Sequence, residues 1–120
     1  MPEIEVVRIY DHNQPDGYRI LVDRLWPRGM SKVRAHLDKW DKEIGPSTDL
    51  RKWFNHEDDK YPTFKEKYFK ELDKNSYTKE FITDVKNHLT NENVLFLYGA
   101  KNKKCNQAVA LKEYVLNHLN

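Results

Sequence analysis

A chain of 120 residues, 33% charged and 38% hydrophobic, has room for one domain built on one core. Its formal net charge of +2 excludes nucleic-acid binding through bulk charge, its single cysteine excludes an intrachain disulfide or a zinc framework of several thiolates, and nowhere do the roughly eighteen apolar residues of a membrane span run together. The start, Met-Pro-Glu-Ile-Glu, lacks a basic region followed by an apolar core, and with the lone thiol this predicts a cytoplasmic protein.

Ile4, Val6, Val7 and Ile9 predict a first strand ending near Tyr10, and the turn formers of Asp11-His-Asn-Gln-Pro-Asp-Gly17 follow it. Ile20, Leu21 and Val22 form the short apolar run expected of a strand covered on both faces, which Pro27-Arg28-Gly29 ends in a turn. Ser31 is placed to cap a helix bearing Val33, Leu37 and Trp40 at i, i+4 and i+7. Gly45-Pro46 breaks the chain, and Ser47 or Thr48 with Asp49 caps a short helix carrying Leu50, Trp53 and Phe54, in which Trp53 packs inward and Arg51 points elsewhere.

Asp59 and Pro62 suit the cap and first turn of the next helix, where Phe64, Tyr68 and Leu72 recur every four residues. Thr78 opens another, with Phe81, Ile82, Val85 and Leu89 inward. Val94-Leu-Phe-Leu-Tyr98 is a continuous apolar run too short for a typical helix and predicts a buried strand; Lys101-Asn-Lys-Lys104 turns it, and Asn106 begins a last helix with Ala108, Leu111, Val115 and Leu119 near one face. Together these predict one α/β domain over residues 1–120, three-layer-like, with a small mostly parallel sheet of three to four strands flanked by about five helices.

Two strand-loop-helix units carry the chemistry. Such a unit leaves a helix N-terminus at the carboxyl edge of a sheet, where open α/β folds bind ligands, and Arg24, Arg28 and Lys32 add full charges beside it. Asp23 can neutralise one of them, not three. If the strands are neighbours, the second loop brings Tyr98, Lys101 and Asn106 to the same edge, and Arg51 can close over an anion from the side. Trp26, next to arginines, offers a stacking wall. Asp23 and His56 are the candidate proton acceptors.

Other chemistry finds little here. The histidines at 12, 36, 56, 88 and 118 share no ligand spacing, so neither a metal nor a cofactor is expected, and no glycine-rich phosphate loop is present. A phosphatase-type loop around Cys105 needs an arginine six residues on, where Leu111 stands, so the thiol reads as packing.

The segments Asp23-Arg-Leu-Trp-Pro-Arg-Gly-Met-Ser-Lys32, Leu37-Asp-Lys-Trp40, Glu43-Ile-Gly-Pro-Ser47, Leu50-Arg-Lys-Trp-Phe54 with His56, and Leu97-Tyr-Gly-Ala-Lys101 together resemble the DUF488 family, in its small YeaO-like branch. The likeness covers nearly the whole chain. It implies a compact cytoplasmic α/β domain and supplies no reaction, the family being functionally uncharacterised. Where the family's pattern shows an aspartate and then a histidine before an asparagine in the last loop, this chain has Asn102 and Cys105 before Asn106.

The resulting expectation is a basic pocket for a phosphorylated or otherwise anionic small molecule, a nucleotide among the candidates, with hydrolysis or group transfer as the chemistry it would suit. A nucleic-acid-binding or protein-interaction module using the basic segment from Arg24 to Arg34 is the alternative, and a purely structural protein is a third reading. No membrane partner is expected, and the sequence carries no signal for an oligomeric state.

Overall fold

The computed structural model describes residues 1–119, and all four of its strands run parallel. β1 (Ile4–Arg8), β2 (Tyr18–Leu21), β3 (Lys39–Trp40) and β4 (Val94–Tyr98) form one sheet in the order β1-β4-β2-β3, so the two continuous apolar runs supply the inner pair. That placement follows from parallel pairing, which buries inner strands on both faces. Every residue of β4 is buried, as are Ile20, Leu21 and Val22. Asn120, the last residue of the domain read from the sequence, lies outside the described residues.

Alternation along β4 divides the core. Val94, Phe96 and Tyr98 belong to the larger cluster, Leu95 and Leu97 to a smaller one on the opposite face. The larger is closed by α2 (Thr48–Phe54), α3 (Tyr61–Lys74), α4 (Thr78–His88) and α5 (Gln107–Asn117), through residues such as Leu50, Phe64, Tyr68, Phe81, Val85 and Leu111. The smaller gathers Ile9, the chain that follows β2 and α1 (Lys32–Ala35), with Met30 and Ala35 buried and Tyr10, Trp26 and Leu37 packed against it. The three layers are therefore lopsided. No helix among the described residues is long and apolar enough to cross a membrane.

The segment after Ser31 departs from its periodicity. Ser31 does cap a helix, accepting the Arg34 N–H at 3.0 Å, but α1 is one turn long and stops at His36, whose φ of 32° is left-handed. The chain then straightens. The Arg19 N–H donates to Asp38 Oδ2 at 2.8 Å and the Asp38 N–H donates to the Arg19 carbonyl at 3.0 Å, which sets Lys39 and Trp40 beside Ile20 and Leu21 as β3. Val33, expected inward, is 88% exposed, and Trp40 packs edge-on against Trp26 at 5.3 Å instead of forming a helical stripe. Trp53 also faces outward, with the ammonium groups of Lys60 and Lys67 over its ring at 5.2 and 4.7 Å.

Ser47 ties α2 to α3. Its hydroxyl accepts the Leu50 N–H at 3.1 Å and donates to Glu71 Oε2 at 2.6 Å, while its own N–H donates to Glu71 Oε1 at 2.9 Å. Ser47→Ala is expected to lower stability by about 1–2 kcal/mol, read from the urea midpoint, with Ser47→Thr restoring most of it. An unchanged midpoint in the alanine variant would remove the cap from the account.

Candidate functional site

In a parallel sheet every strand ends at the same edge, so the loops leaving β1, β2 and β4 converge there, the place where open α/β sheets hold ligands. Between them lies a cavity of about 770 Å³, within the range of small-molecule sites. Tyr10 reaches it after β1, Asp23 to Arg28 after β2, and Gly99 to Asn102 after β4; α2 adds Arg51 and Phe54, the turn beyond α2 adds His56 and Asp58, and Cys105, Asn106 and Gln107 close it at the start of α5.

Asp23 is the central group. It is the second residue past β2, and β2 neighbours β4, so its carboxylate meets the chain leaving that strand: the Gly99 N–H donates to Oδ2 at 2.8 Å and the Gln107 carboxamide donates to Oδ1. Among the described residues no cation lies within ion-pair distance of it. Desolvation pushes its pKa up to about 6, against the pull of the Gly99 N–H and of the Arg51 charge. The residue as a whole is only partly buried and lines the cavity.

The four cations of the lining differ in how free they are. Arg24 is committed to the fold, its Nε donating to the Pro46 carbonyl and its Nη2 to the Gly45 carbonyl, both at 2.9 Å, which pins the turn before α2. Arg28, Arg51 and Lys101 make no ion pair among the described residues. Four cationic side chains thus face two carboxyls, Asp23 and Asp58. The loop bearing Arg28 is fixed from behind, because the Tyr10 hydroxyl donates to the Arg28 carbonyl at 2.7 Å.

His56 is brought to the rim by two successive left-handed residues. Asn55, with φ of 48°, caps α2 by donating its N–H to the Arg51 carbonyl at 3.0 Å, and His56 follows with φ of 57°. Asparagine tolerates that region; histidine pays more for it, about 1–2 kcal/mol, and strain of this kind concentrates at working sites. The imidazole is exposed.

Of the residues expected at the site, Asp23, Arg24, Trp26, Arg28, Arg51, His56, Lys101 and Asn106 line this one cavity. Lys32 and Tyr98 do not. Lys32 is exposed on α1, a single turn too short to aim a free N-terminus at an anion. Tyr98 is 2% exposed because β4 alternation turns it into the larger core, and burial raises its hydroxyl pKa. Asn106 lines the cavity but works as a cap: its side-chain oxygen accepts the Val109 N–H at 3.0 Å and its amide donates to the Asn102 carbonyl at 2.9 Å. Trp26 is fixed by donating its Nε1 hydrogen to the Met30 carbonyl at 2.7 Å.

Tyr10 and Gln107 escaped the sequence reading. Tyr10 ends a predicted strand, and only the parallel order shows that its end shares the edge with Asp23. Gln107 follows the capping Asn106 and was hidden by that role. Asn102 accepts the N–H groups of Lys104 and Cys105 at 2.8 and 2.9 Å and donates to Asp58 at 2.9 Å, which shapes the loop around the partly buried Cys105. No group of three or more His, Cys, Asp or Glu among the described residues is arranged to hold a metal ion.

The comparisons with known proteins agree with one another. A family model described as the inactive DUF488-N3 subclade matches residues 3–120. The uncharacterized protein YeaO of Escherichia coli (strain K12) is 45% identical over 113 residues, covering 93% of this chain and 96% of that protein. The uncharacterized proteins Rv3073c of Mycobacterium tuberculosis (strain ATCC 25618 / H37Rv) and Mb3100c of Mycobacterium bovis (strain ATCC BAA-935 / AF2122/97) are each 39% identical over 70 residues, 58% of this chain and 59% of theirs. No solved structure matches the chain.

Proposed function

The chain belongs to the DUF488 family, and on that premise we propose that its cavity binds a phosphorylated or other anionic small molecule without turning it over. The observation that carries this reading is the charge arrangement of the cavity: Arg28, Arg51 and Lys101 come from three separate segments, line one space, and make no ion pair among the described residues. Arg24, which serves the fold, instead places its Nε and Nη2 donors on the Pro46 and Gly45 carbonyls.

Two things favour binding over catalysis. The matching subclade is described as inactive. Where the family's pattern shows an aspartate and then a histidine before the last-loop asparagine, this chain has Asn102 and Cys105, and Asn102 is occupied in holding the loop. Asp23 and His56 are then groups that contact the ligand, and the arginines neutralise it. Trp26 and Tyr10 add aromatic surface, which suits a nucleotide or a sugar phosphate better than a bare anion.

The test is a thermal-shift screen with inorganic phosphate, sulfate, sugar phosphates, nucleotides and short oligonucleotides at two salt concentrations. A ligand at about one hundred times its Kd should raise Tm by roughly 5 °C or more, and Arg28→Ala or Arg51→Ala should abolish the shift. A shift with oligonucleotides alone, at low salt and unaffected by Arg51→Ala, would instead support the nucleic-acid reading. Silence across the screen would end the pocket proposal.

A further inference from the structure

The pocket carries one group that a plain anion site has no use for, the carboxylate of Asp23. We propose that the ligand is a hydroxylated phosphate, of the sugar-phosphate or polyol-phosphate class, whose phosphate lies among Arg28, Arg51 and Lys101 and whose hydroxyl donates to Asp23. The inference rests on the anion-binding reading above and adds the other end of the ligand.

A carboxylate offers about four acceptor positions. The Gly99 N–H and the Gln107 carboxamide fill two, and they hold the group in one orientation. Asp23 is only partly buried and lines the cavity, so the remaining positions are the ones a ligand there can use. A phosphate placed against Asp23 would meet a like charge in a poorly solvated site, so the anionic end must lie away from it, toward the unpaired cations. What touches Asp23 must donate a hydrogen bond. An ammonium would donate, but the Arg51 charge acts on the same carboxylate and would repel it. A neutral hydroxyl satisfies both conditions.

Size agrees with a ligand of two ends. A cavity of about 770 Å³ far exceeds a bare phosphate and suits a phosphorylated sugar, whose C–H faces can pack on the aromatic surface of Tyr10 and Trp26.

The experiment is calorimetric titration of the full chain with ribose 5-phosphate and with n-propyl phosphate, which keeps the phosphate and lacks hydroxyls. The unaltered protein is expected to bind ribose 5-phosphate about tenfold or more tightly than n-propyl phosphate, the ratio that one hydrogen bond to a charged acceptor supplies. Asp23→Asn should reduce the preference to within about threefold and tighten n-propyl phosphate, since the repelling charge has gone, whereas Arg51→Ala should weaken both probes alike. Equal affinities for the two probes in the unaltered protein, still lost together in Arg51→Ala, would overturn the hydroxyl reading and leave the anion pocket standing. Failure of both probes to bind would overturn both readings. The two-probe comparison needs no variant to fold.

Discussion

Phe96→Ala is expected to remove about 3–5 kcal/mol of stability, a large share of the roughly 5–15 kcal/mol available to a domain of this size. Phe96 is the middle residue of β4, an inner strand, beside Val6 on one side and Ile20 on the other. Its side chain is fully buried in the larger core, with its ring 5.6 Å from that of Phe81 on α4. Truncation therefore opens a void between sheet and helix layer whose walls belong to separate elements, none of which can move in alone. Phe96→Leu, which keeps most of the volume, should cost only about 1 kcal/mol. Urea unfolding followed by circular dichroism decides it, and an alanine variant losing less than about 1.5 kcal/mol would mean that the layers collapse into the gap. Because Gly99 leaves the end of the same strand, this substitution should also loosen the backbone donor that orients Asp23.

How far the molecule could be read from its sequence depends on which interaction placed each segment. β2, β4 and the helices α2 to α5 were legible because burial on both strand faces or on one helix stripe leaves a local trace: Ile20-Leu21-Val22, Val94 to Tyr98, Phe64-Tyr68-Leu72. β3 was not, since the pairing that creates it is two residues long and is set by Asp38 meeting the backbone of Arg19, nineteen positions away. The spacing of Val33, Leu37 and Trp40 imitates a helix face, and nothing local reveals that His36 turns the chain left-handed between them. Tyr61 opens α3 where Asp59 was expected to cap it, because residues 58–60 first form a turn of 3-10 helix.

The site divides along the same line. Its basic loops could be placed at one edge as soon as β2 and β4 were read as neighbours, and eight of the ten expected residues do share the cavity. The burial of Tyr98 was not legible, because a position at the end of a strand does not say which face its side chain takes. The β4 alternation that buries Phe96 buries Tyr98 too. The state of each charge was the least legible part. Arg24 and Arg28 look equivalent in the sequence, and only the carbonyl groups of Gly45 and Pro46 distinguish a structural arginine from a free one.

Asp23 should make stability fall as pH rises, the reverse of the usual behaviour of a paired carboxylate. Its native pKa of about 6 lies above the unfolded value near 3.8, so between these values the folded chain holds a proton that the unfolded chain has released. The contribution is fully present below the unfolded value and is lost as pH climbs through about 6. Its size follows from the gap and is on the order of 2–3 kcal/mol. Other groups titrate in the same window, so the quantity to measure is the stability of the unaltered protein minus that of Asp23→Asn, by urea unfolding from about pH 4 to about pH 8. Any hydrogen bond the asparagine loses to Gly99 or Gln107 shifts that difference by a constant, and the slope reports the carboxyl alone. The difference should fall by about 2–3 kcal/mol across the range, with its midpoint moved upward in an Arg51→Ala background because the favourable charge is gone. A flat difference would mean that water in the cavity solvates the carboxylate as bulk does. A falling one means that the fold carries at neutral pH an unpaired charge that weakens it, and a protein keeps such a charge where binding requires the acceptor.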